Sequence, residues 1–132
     1  METIKIIIER SADYFDAYAE NCNGVYGAGT TAEEAKKEAL KGLELFVNTR
    51  DKKDLPEILR GEYRIVCKYD IRSLLNYCNQ YFSNVALERL TGINQKQLFH
   101  YASGLKKPRE AQRKKIEESF HKLGRELLAV EL

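Results

Sequence analysis

Apolar and polar residues alternate in four segments of this chain, with the period of two that is typical of β-strands. The segments span residues 3–9, 14–20, 25–26 and 63–69. Only short polar or glycine-containing stretches separate the first three, so we expect antiparallel hairpins. The pattern therefore predicts a small sheet to which the fourth segment returns.

A helical period replaces the alternation between the third and fourth segments. Apolar residues recur every three or four positions from Ala32 to about Asn48, and charged residues occupy the other side. Thr31 and Glu34 have the spacing of a capping box at the start of this helix. We expect its apolar stripe to pack on the sheet face that carries the isoleucines.

From residue 70 onward the apolar spacing is helical throughout. It predicts four helices, over about residues 71–82, 84–90, 95–102 and 109–130. The expected N-caps of the first three are Asp70, Ser83 and Asn94. Gly92 lies where the chain must adopt a positive φ to reverse direction. The last helix carries an apolar stripe made of Ile116, Phe120, Leu123, Leu127 and Val130.

These elements predict an α+β protein with two domains, a β-β-β-α-β layer over residues 1–69 and an all-α domain over residues 70–132. The charge changes sign near this boundary. Residues 1–62 hold 9 Lys and Arg against 13 Asp and Glu, net −4, and residues 63–132 hold 13 against 7, net +6. This asymmetry favours a basic partner for the first half and a polyanion for the second, although ordinary solvated surface is the alternative.

The composition is that of a soluble globular protein, since 43% of the 132 residues are hydrophobic and 32% are charged. No apolar run approaches the ~20 residues that cross a bilayer, and the chain begins directly in a strand-like pattern. We therefore expect neither a membrane span nor a signal peptide. The three cysteines have no C-x-x-C spacing, which predicts reduced thiols in a cytoplasmic protein.

The stretch from Ser83 to Pro108 has the layout of a DNA-binding helix-turn-helix, whose second helix enters the major groove with its N-terminus first. Its apolar residues are spaced to fall between the two helices: Val85, Leu87, Leu90, Ile93, Leu98 and Tyr101. The outer face of the second helix is then left to Gln95, Lys96, Gln97 and His100. Positions better placed for backbone phosphates are Asn84, Ser103, Lys106 and Lys107. A purely structural α-hairpin is the alternative.

The pattern L-x-x-x-x-G-I-N-x-x-x-L-x-x-Y-x-S-G-x-x-x-P, from Leu87 to Pro108, resembles the phage-repressor type of helix-turn-helix, the XRE or Cro/CI class. The resemblance implies that the outer residues of the second helix face base edges, where amides suit adenine and lysine suits guanine. Glu88 stands where this family usually has a small residue, often Ala. We expect the Glu88 side chain either to point into solvent or to widen the helix crossing.

The N-terminal part resembles the HicB antitoxin domain in its strand pair, its G-x-x-x-x-G run and its T-x-E-E-A helix start. The matching residues are Gly24, Gly29, Thr31, Glu33, Glu34 and Ala35. HicB proteins carry a truncated RNase-H-like β-β-β-α-β domain and, in many members, a C-terminal DNA-binding domain. The resemblance implies an antitoxin that neutralises a HicA-like mRNA interferase, a small basic toxin, and represses its own operon.

Two other functions stay open. One is a stand-alone phage-repressor-type transcriptional regulator whose first domain binds a ligand or dimerises. The other is a metal-dependent nuclease, which needs several carboxylates around two metal ions. Asp13, Asp16 and Glu20 are the candidates, but the fourth predicted strand adds no further carboxylate. We therefore expect no enzyme, no catalytic residue, no metal site and no cofactor.

The expected partners are double-stranded operator DNA, a HicA-like toxin protein and further copies of this chain. Repressors of this type bind two half-sites ~34 Å apart, which requires at least a dimer. The terminal helix and the outer sheet edge are the available interfaces. No membrane partner is expected.

Overall fold

The computed structural model describes residues 1–132. The chain divides into two compact units, Met1–Tyr77 and Cys78–Leu132. The first unit combines a β-sheet with helices, and the second is helical. The predicted α+β class is therefore confirmed.

The first unit is built on a four-stranded sheet with the order β3-β2-β1-β4. Its strands are β1 (Glu2–Arg10), β2 (Phe15–Ala19), β3 (Tyr26–Gly29) and β4 (Tyr63–Tyr69). β1 pairs antiparallel with β2 and parallel with β4, while β2 pairs antiparallel with β3. A parallel pair needs a crossover connection, and helix α1 (Ala32–Thr49) supplies it.

The core of this unit lies between the sheet and α1. On the sheet side the fully buried residues of β1 are Ile4, Ile6 and Ile8. On the helix side the buried residues are Ala32, Ala35, Ala39 and Leu43. Two short 3₁₀ turns after α1 bring Leu55 and Leu59 into the same core.

Strand β3 differs from the prediction, which placed only residues 25–26 in it, since it spans Tyr26–Gly29 and includes the two following glycines. Gly27 is buried, and a Cβ there would lie 2.4 Å from the Ala39 backbone nitrogen and 2.6 Å from the Ala35 carbonyl oxygen. Glycine is therefore required for the backbone of α1 to lie directly on the strand.

The predicted capping box at the start of α1 forms with one change. The Glu34 backbone N–H donates to the Thr31 hydroxyl at 3.1 Å, as expected. The Glu34 carboxylate reaches back one residue further, accepting from the Thr30 hydroxyl at 2.8 Å and the Thr30 N–H at 2.9 Å. These two bonds favour the charged form, so they lower the pKa of Glu34.

Helix α2 (Ile71–Cys78) begins at the predicted cap and is tied to the sheet. One Asp70 carboxylate oxygen accepts from the Ser73 N–H at 2.7 Å, and the other accepts from the Arg10 N–H at 2.9 Å. A single side chain therefore starts the helix and fixes it to the end of β1.

Further contacts hold α2 to the first unit. The Asn76 side-chain oxygen accepts from the Ala32 N–H at 2.9 Å, and the Tyr77 ring lies 5.7 Å from the Tyr69 ring. The compact unit accordingly extends to Tyr77, whereas the sequence placed the boundary after Tyr69. The apolar pattern could not reveal this, since the polar contacts of Asp70 and Asn76 carry the attachment.

The second unit contains helices α3 (Asn84–Thr91), α4 (Gln95–Ser103) and α5 (Glu110–Leu128). α3 packs against both α4 and α5. The buried apolar residues of these helices and their turn are Leu87, Ile93, Leu98, Tyr101 and Ile116. Val85, which was expected between the helices, is instead 44% exposed.

Two details of the helical prediction are wrong. α2 was expected to continue to about residue 82, but it ends at Cys78, whose carbonyl accepts from the Tyr81 N–H at 2.9 Å and the Phe82 N–H at 2.8 Å. The apolar stripe of α5 is buried only at Ile116, since Leu127 is 60% exposed and Val130 is 62% exposed. The apolar spacing predicted the stripe, but it did not show how much of the stripe is buried in the second unit.

Candidate functional site

The candidate site is built on α3, α4 and the turn between them, residues 83–104, which we call the two-helix segment. All the local signals predicted for it are present. The Ser83 hydroxyl accepts from the Ala86 N–H at 3.1 Å, and the Asn94 side chain accepts from the Lys96 N–H at 2.8 Å. Gly92 ends α3 with φ +74°. Sequence alone thus defined where both helices begin and where the first one ends.

The side chains of Thr91 and Glu88 hold the turn in place. The Thr91 hydroxyl donates to the Leu87 carbonyl at 2.7 Å and accepts from the Ile93 N–H at 3.1 Å. The Glu88 carboxylate accepts from the Gln95 N–H at 2.9 Å. Glu88 therefore bridges the two helices at the protein surface.

The outer face of α4 carries a mixed set of side chains. Lys96, His100 and Ser103 follow the i, i+4, i+7 spacing of one helix face. Lys96 and Ser103 are exposed, while His100 is half-buried. Phe99 lies next to this row and is 58% exposed, although it was not among the predicted site residues. The sequence did contain a signal for Phe99, because this apolar residue lies between Leu98 and Tyr101 but does not fall on the apolar stripe of the helix.

Gln97 lies at the flank of α4 rather than on its outermost line. Its side-chain N–H donates to the hydroxyl of the buried Tyr101, one turn later, at 3.0 Å. This bond holds the amide beside the loop that leads to α5. Gln95, in contrast, is exposed in the first turn of the helix.

A cleft of about 460 Å³ opens where the loop after α4 meets the first turn of α5. Its lining residues are Gln97, Tyr101, Lys106, Lys107, Arg109 and Gln112. Three of these side chains are cationic and none is acidic. The structure therefore groups three predicted residues, Gln97, Lys106 and Lys107, with three residues that the prediction omitted.

The start of α5 adds positive potential to this cleft. Arg109 occupies the N-cap position and makes no side-chain capping bond. The amino end of a helix carries a partial positive charge from its unpaired N–H groups. Together with the lysines and arginine, this end makes the cleft suited to an anion such as a phosphate group.

The loop after α4 is fixed to the helix by its backbone. The His100 carbonyl accepts from the Ser103 hydroxyl at 3.1 Å and from the Lys106 N–H at 3.2 Å. Ser103 thus closes the end of α4, and the His100 carbonyl holds Lys106 near the cleft. Asn84, the remaining predicted phosphate contact, is half-buried at the first position of α3.

The sequence partly indicated the cleft residues that the site prediction omitted. Arg109 belongs to the same basic run as Lys106 and Lys107, and Gln112 follows Arg109 by one helical turn. Their convergence with Tyr101 depends on the angle between α4 and α5. That angle follows from packing and could not be derived from spacing along the chain.

The carboxylates considered for metal-dependent chemistry make contacts of their own. Asp16 accepts from the Tyr26 hydroxyl at 2.9 Å, and Glu20 lies 3.7 Å from the Lys5 ammonium group. The chain holds no group of three or more His, Cys, Asp or Glu side chains that could bind a metal ion.

The three cysteines are free, and burial raises the pKa of each thiol. For Cys78 the pKa rises to about 11. A thiol with such a pKa is almost fully protonated at neutral pH, so it is a poor nucleophile and a poor metal ligand.

Comparisons with protein-family models, with curated proteins and with solved structures find no match to this chain. None of its helices combines the length and the apolar character that a membrane span requires.

Proposed function

We propose that this chain is a HicB-like antitoxin that binds and neutralises a HicA-like mRNA interferase and represses its own operon. In this proposal the first unit is a truncated RNase-H-like domain that binds the toxin. The second is an XRE-type helix-turn-helix domain that binds DNA. The observation that carries the proposal is the two-helix segment, whose capped helices and glycine turn lie beside a cationic cleft without a carboxylate.

The DNA-binding role rests on how this segment meets a duplex. The first turn of α4 would enter the major groove, where Gln95, Lys96 and Gln97 can contact base edges. The cleft lies behind that turn, so Lys106, Lys107 and Arg109 are available to a backbone phosphate. The second unit holds 10 Lys and Arg against 6 Asp and Glu, a balance that favours a polyanion.

The toxin-binding role rests on the first unit. Its succession of three strands, a capped helix and a returning fourth strand is the β-β-β-α-β order that the HicB resemblance implies. This unit holds 12 Lys and Arg against 14 Asp and Glu, so a basic ribonuclease is attracted rather than repelled. Inhibition would be steric and electrostatic, by covering the toxin's RNA-binding surface, and needs no catalytic residue of this chain.

Repression requires two copies of the helix-turn-helix. One α4 reads only part of a helical turn, so two half-sites ~34 Å apart call for at least a dimer. The exposed end of α5, where Leu127 and Val130 are more than half accessible, is one surface available for that contact.

The second candidate is a stand-alone phage-repressor-type regulator, and the two-helix segment favours it as strongly as it favours the antitoxin. The two functions differ only in the first unit, which would then bind a small ligand or dimerise. They are distinguished by the neighbouring gene, because an antitoxin requires a small basic protein encoded directly beside it.

The experiment combines the full-length chain with a catalytically inactive variant of the product of that neighbouring gene. The antitoxin function predicts that the two proteins co-purify, and that the complex binds the duplex upstream of their genes. DNA binding without a protein partner would support the stand-alone regulator. Absence of both would overturn the proposal.

A further inference from the structure

An aromatic ring lies exposed on α4, the helix that would enter the major groove. Phe99 is 58% exposed, whereas Leu98 and Tyr101, the residues that pack α4 into the second unit, are buried. The ring therefore contributes little to the core. Alanine has a higher helix propensity than phenylalanine, so the folded chain gains no stability from a phenylalanine at an exposed position of this helix.

The neighbours of Phe99 on the surface of α4 are polar. Gln95 lies four residues before it, Lys96 three residues before it and Ser103 four residues after it, so all three adjoin the ring on the outer face. All three are exposed. The His100 ring lies on the other side, with the two ring centroids 6.4 Å apart and the planes tilted by 58°, which is an aromatic contact. Phe99 thus lies in the middle of the face proposed to meet DNA.

The chemistry of the major groove limits what such a ring can contact. The base edges there present hydrogen-bond donors and acceptors, and thymine adds one apolar group, its C5-methyl. A phenyl ring that covers a donor or acceptor takes away its water without replacing the hydrogen bond, which is unfavourable. The thymine methyl is therefore the base-edge group that a phenylalanine can bind without such a cost.

We propose that Phe99 is a specificity-determining residue that reads a thymine, by packing its ring against the C5-methyl group in the major groove. This inference rests on the DNA-binding part of the proposed function, which the antitoxin and the stand-alone regulator share. Gln95 lies one turn earlier on the same side of α4, and its amide suits adenine. Each half-site should therefore contain A·T pairs at the bases that these two residues contact.

The surroundings of the ring favour a base edge over another protein. Protein contacts are expected at contiguous apolar patches. Around Phe99 the surface of α4 instead carries the amide of Gln95, the ammonium group of Lys96 and the hydroxyl of Ser103. One apolar group among hydrogen-bonding groups matches the major-groove edge of an A·T pair, where one methyl group lies beside donors and acceptors.

The test removes the methyl group from the DNA. Synthetic duplexes copy the sequence upstream of the gene for this chain, and deoxyuridine replaces thymine at one position of each half-site at a time. Deoxyuridine pairs like thymine and lacks only the methyl group. Fluorescence anisotropy with the full-length chain should show, at one such position, binding weakened by about 4-fold for each methyl group removed, as expected for the burial of one methyl group.

Variants of the protein complete the comparison. Phe99→Ala should bind the thymine duplex about 10-fold more weakly and bind the deoxyuridine duplex equally well, so the difference between the two disappears. Phe99→Leu keeps an apolar side chain and should retain part of the difference. Leu45→Ala removes an apolar side chain of similar exposure from α1, so this control should behave like the natural chain.

Thermal unfolding of Phe99→Ala should match that of the natural chain, which separates a lost DNA contact from lost folding. If the natural chain binds none of the duplexes, the DNA-binding function and this inference both fail. If it binds, but deoxyuridine has no effect at any position or Phe99→Ala keeps the full difference, the role of Phe99 is wrong and DNA binding stands. A Phe99→Ala chain with a changed mass in light scattering and unchanged discrimination would instead identify the ring as a contact between copies.

Discussion

The Glu88 carboxylate accepts a hydrogen bond from the Gln95 backbone N–H at 2.9 Å, so a side chain of α3 closes the amino end of α4. The next N–H, that of Lys96, is bound by Asn94. The first two amide groups of α4 are therefore satisfied within the protein. These two N–H groups are not available to a phosphate, which increases the importance of the cationic cleft.

Replacing Glu88 by Ala tests this relationship. The N–H of Gln95 would lose its acceptor, and loss of a helix cap costs about 0.5–2 kcal/mol of stability. We expect urea unfolding to show this decrease for Glu88→Ala and a smaller one for Glu88→Gln, whose amide oxygen can still accept. Glu117→Ala, an exposed substitution on α5, is the control. Equal stability of Glu88→Ala and the control would mean that the bond contributes nothing.

Replacement by alanine should change the free energy of unfolding in opposite directions at two glycines. Gly92 has φ +74°, a conformation that disfavours any Cβ, so Gly92→Ala should destabilise the second unit by about 1 kcal/mol or more. Gly124 lies within α5, where no atom comes within 4 Å of the position that a Cβ would occupy. Gly124→Ala should therefore stabilise the helix by ~0.5–1 kcal/mol. Thermal unfolding of both variants checks the pair, and shifts of the same sign would contradict it.

Much of the fold could be predicted because local sequence features, such as alternating apolar residues and helix caps, determine it. Strand β4 has the predicted bounds, and the caps Thr31, Ser83 and Asn94 are all used as expected. The predictions were wrong where contacts between residues far apart in the sequence determine the structure. Gly27 extends β3 because α1 packs on it, and Asp70 and Asn76 attach α2 to the first unit through single polar bonds.

The candidate site was predicted in part for the same reason. The outer residues of α4 follow from helical spacing, and the basic run after Gly104 is visible in the sequence. The bond from Gln97 to Tyr101 joins residues one helical turn apart, whereas the cleft that joins Gln97 to Arg109 and Gln112 depends on the angle between α4 and α5. No spacing rule gives that angle.

The residues of α4 and of the cleft should affect DNA binding differently. Gln97→Ala should cost ~1–3 kcal/mol on the cognate duplex and reduce the preference for it, as expected for a base contact. Lys107→Ala and Arg109→Ala should weaken cognate and random duplexes alike and flatten the salt dependence, as expected for phosphate contacts. Lys122→Ala, an exposed cation on α5, is the control. Identical behaviour of Gln97→Ala and Lys107→Ala on both duplexes would refute these roles.

The first unit should be separable, with its boundary after Tyr77. A fragment of residues 1–77 keeps the bonds of Asp70 to β1 and of Asn76 to α1, whereas a fragment of residues 1–69 loses them. We expect the longer fragment to unfold at a higher temperature, to bind the toxin and not to bind DNA. Equal unfolding temperatures of the two fragments would show that α2 contributes little to this unit.

The antitoxin function is tested by following RNA cleavage by the active product of the neighbouring gene while the full-length chain is added. We expect cleavage to stop when this chain reaches a stoichiometric amount, and the chain alone to cleave no RNA. Cleavage that continues at full rate in the presence of excess chain would contradict the antitoxin function and leave the stand-alone regulator in its place.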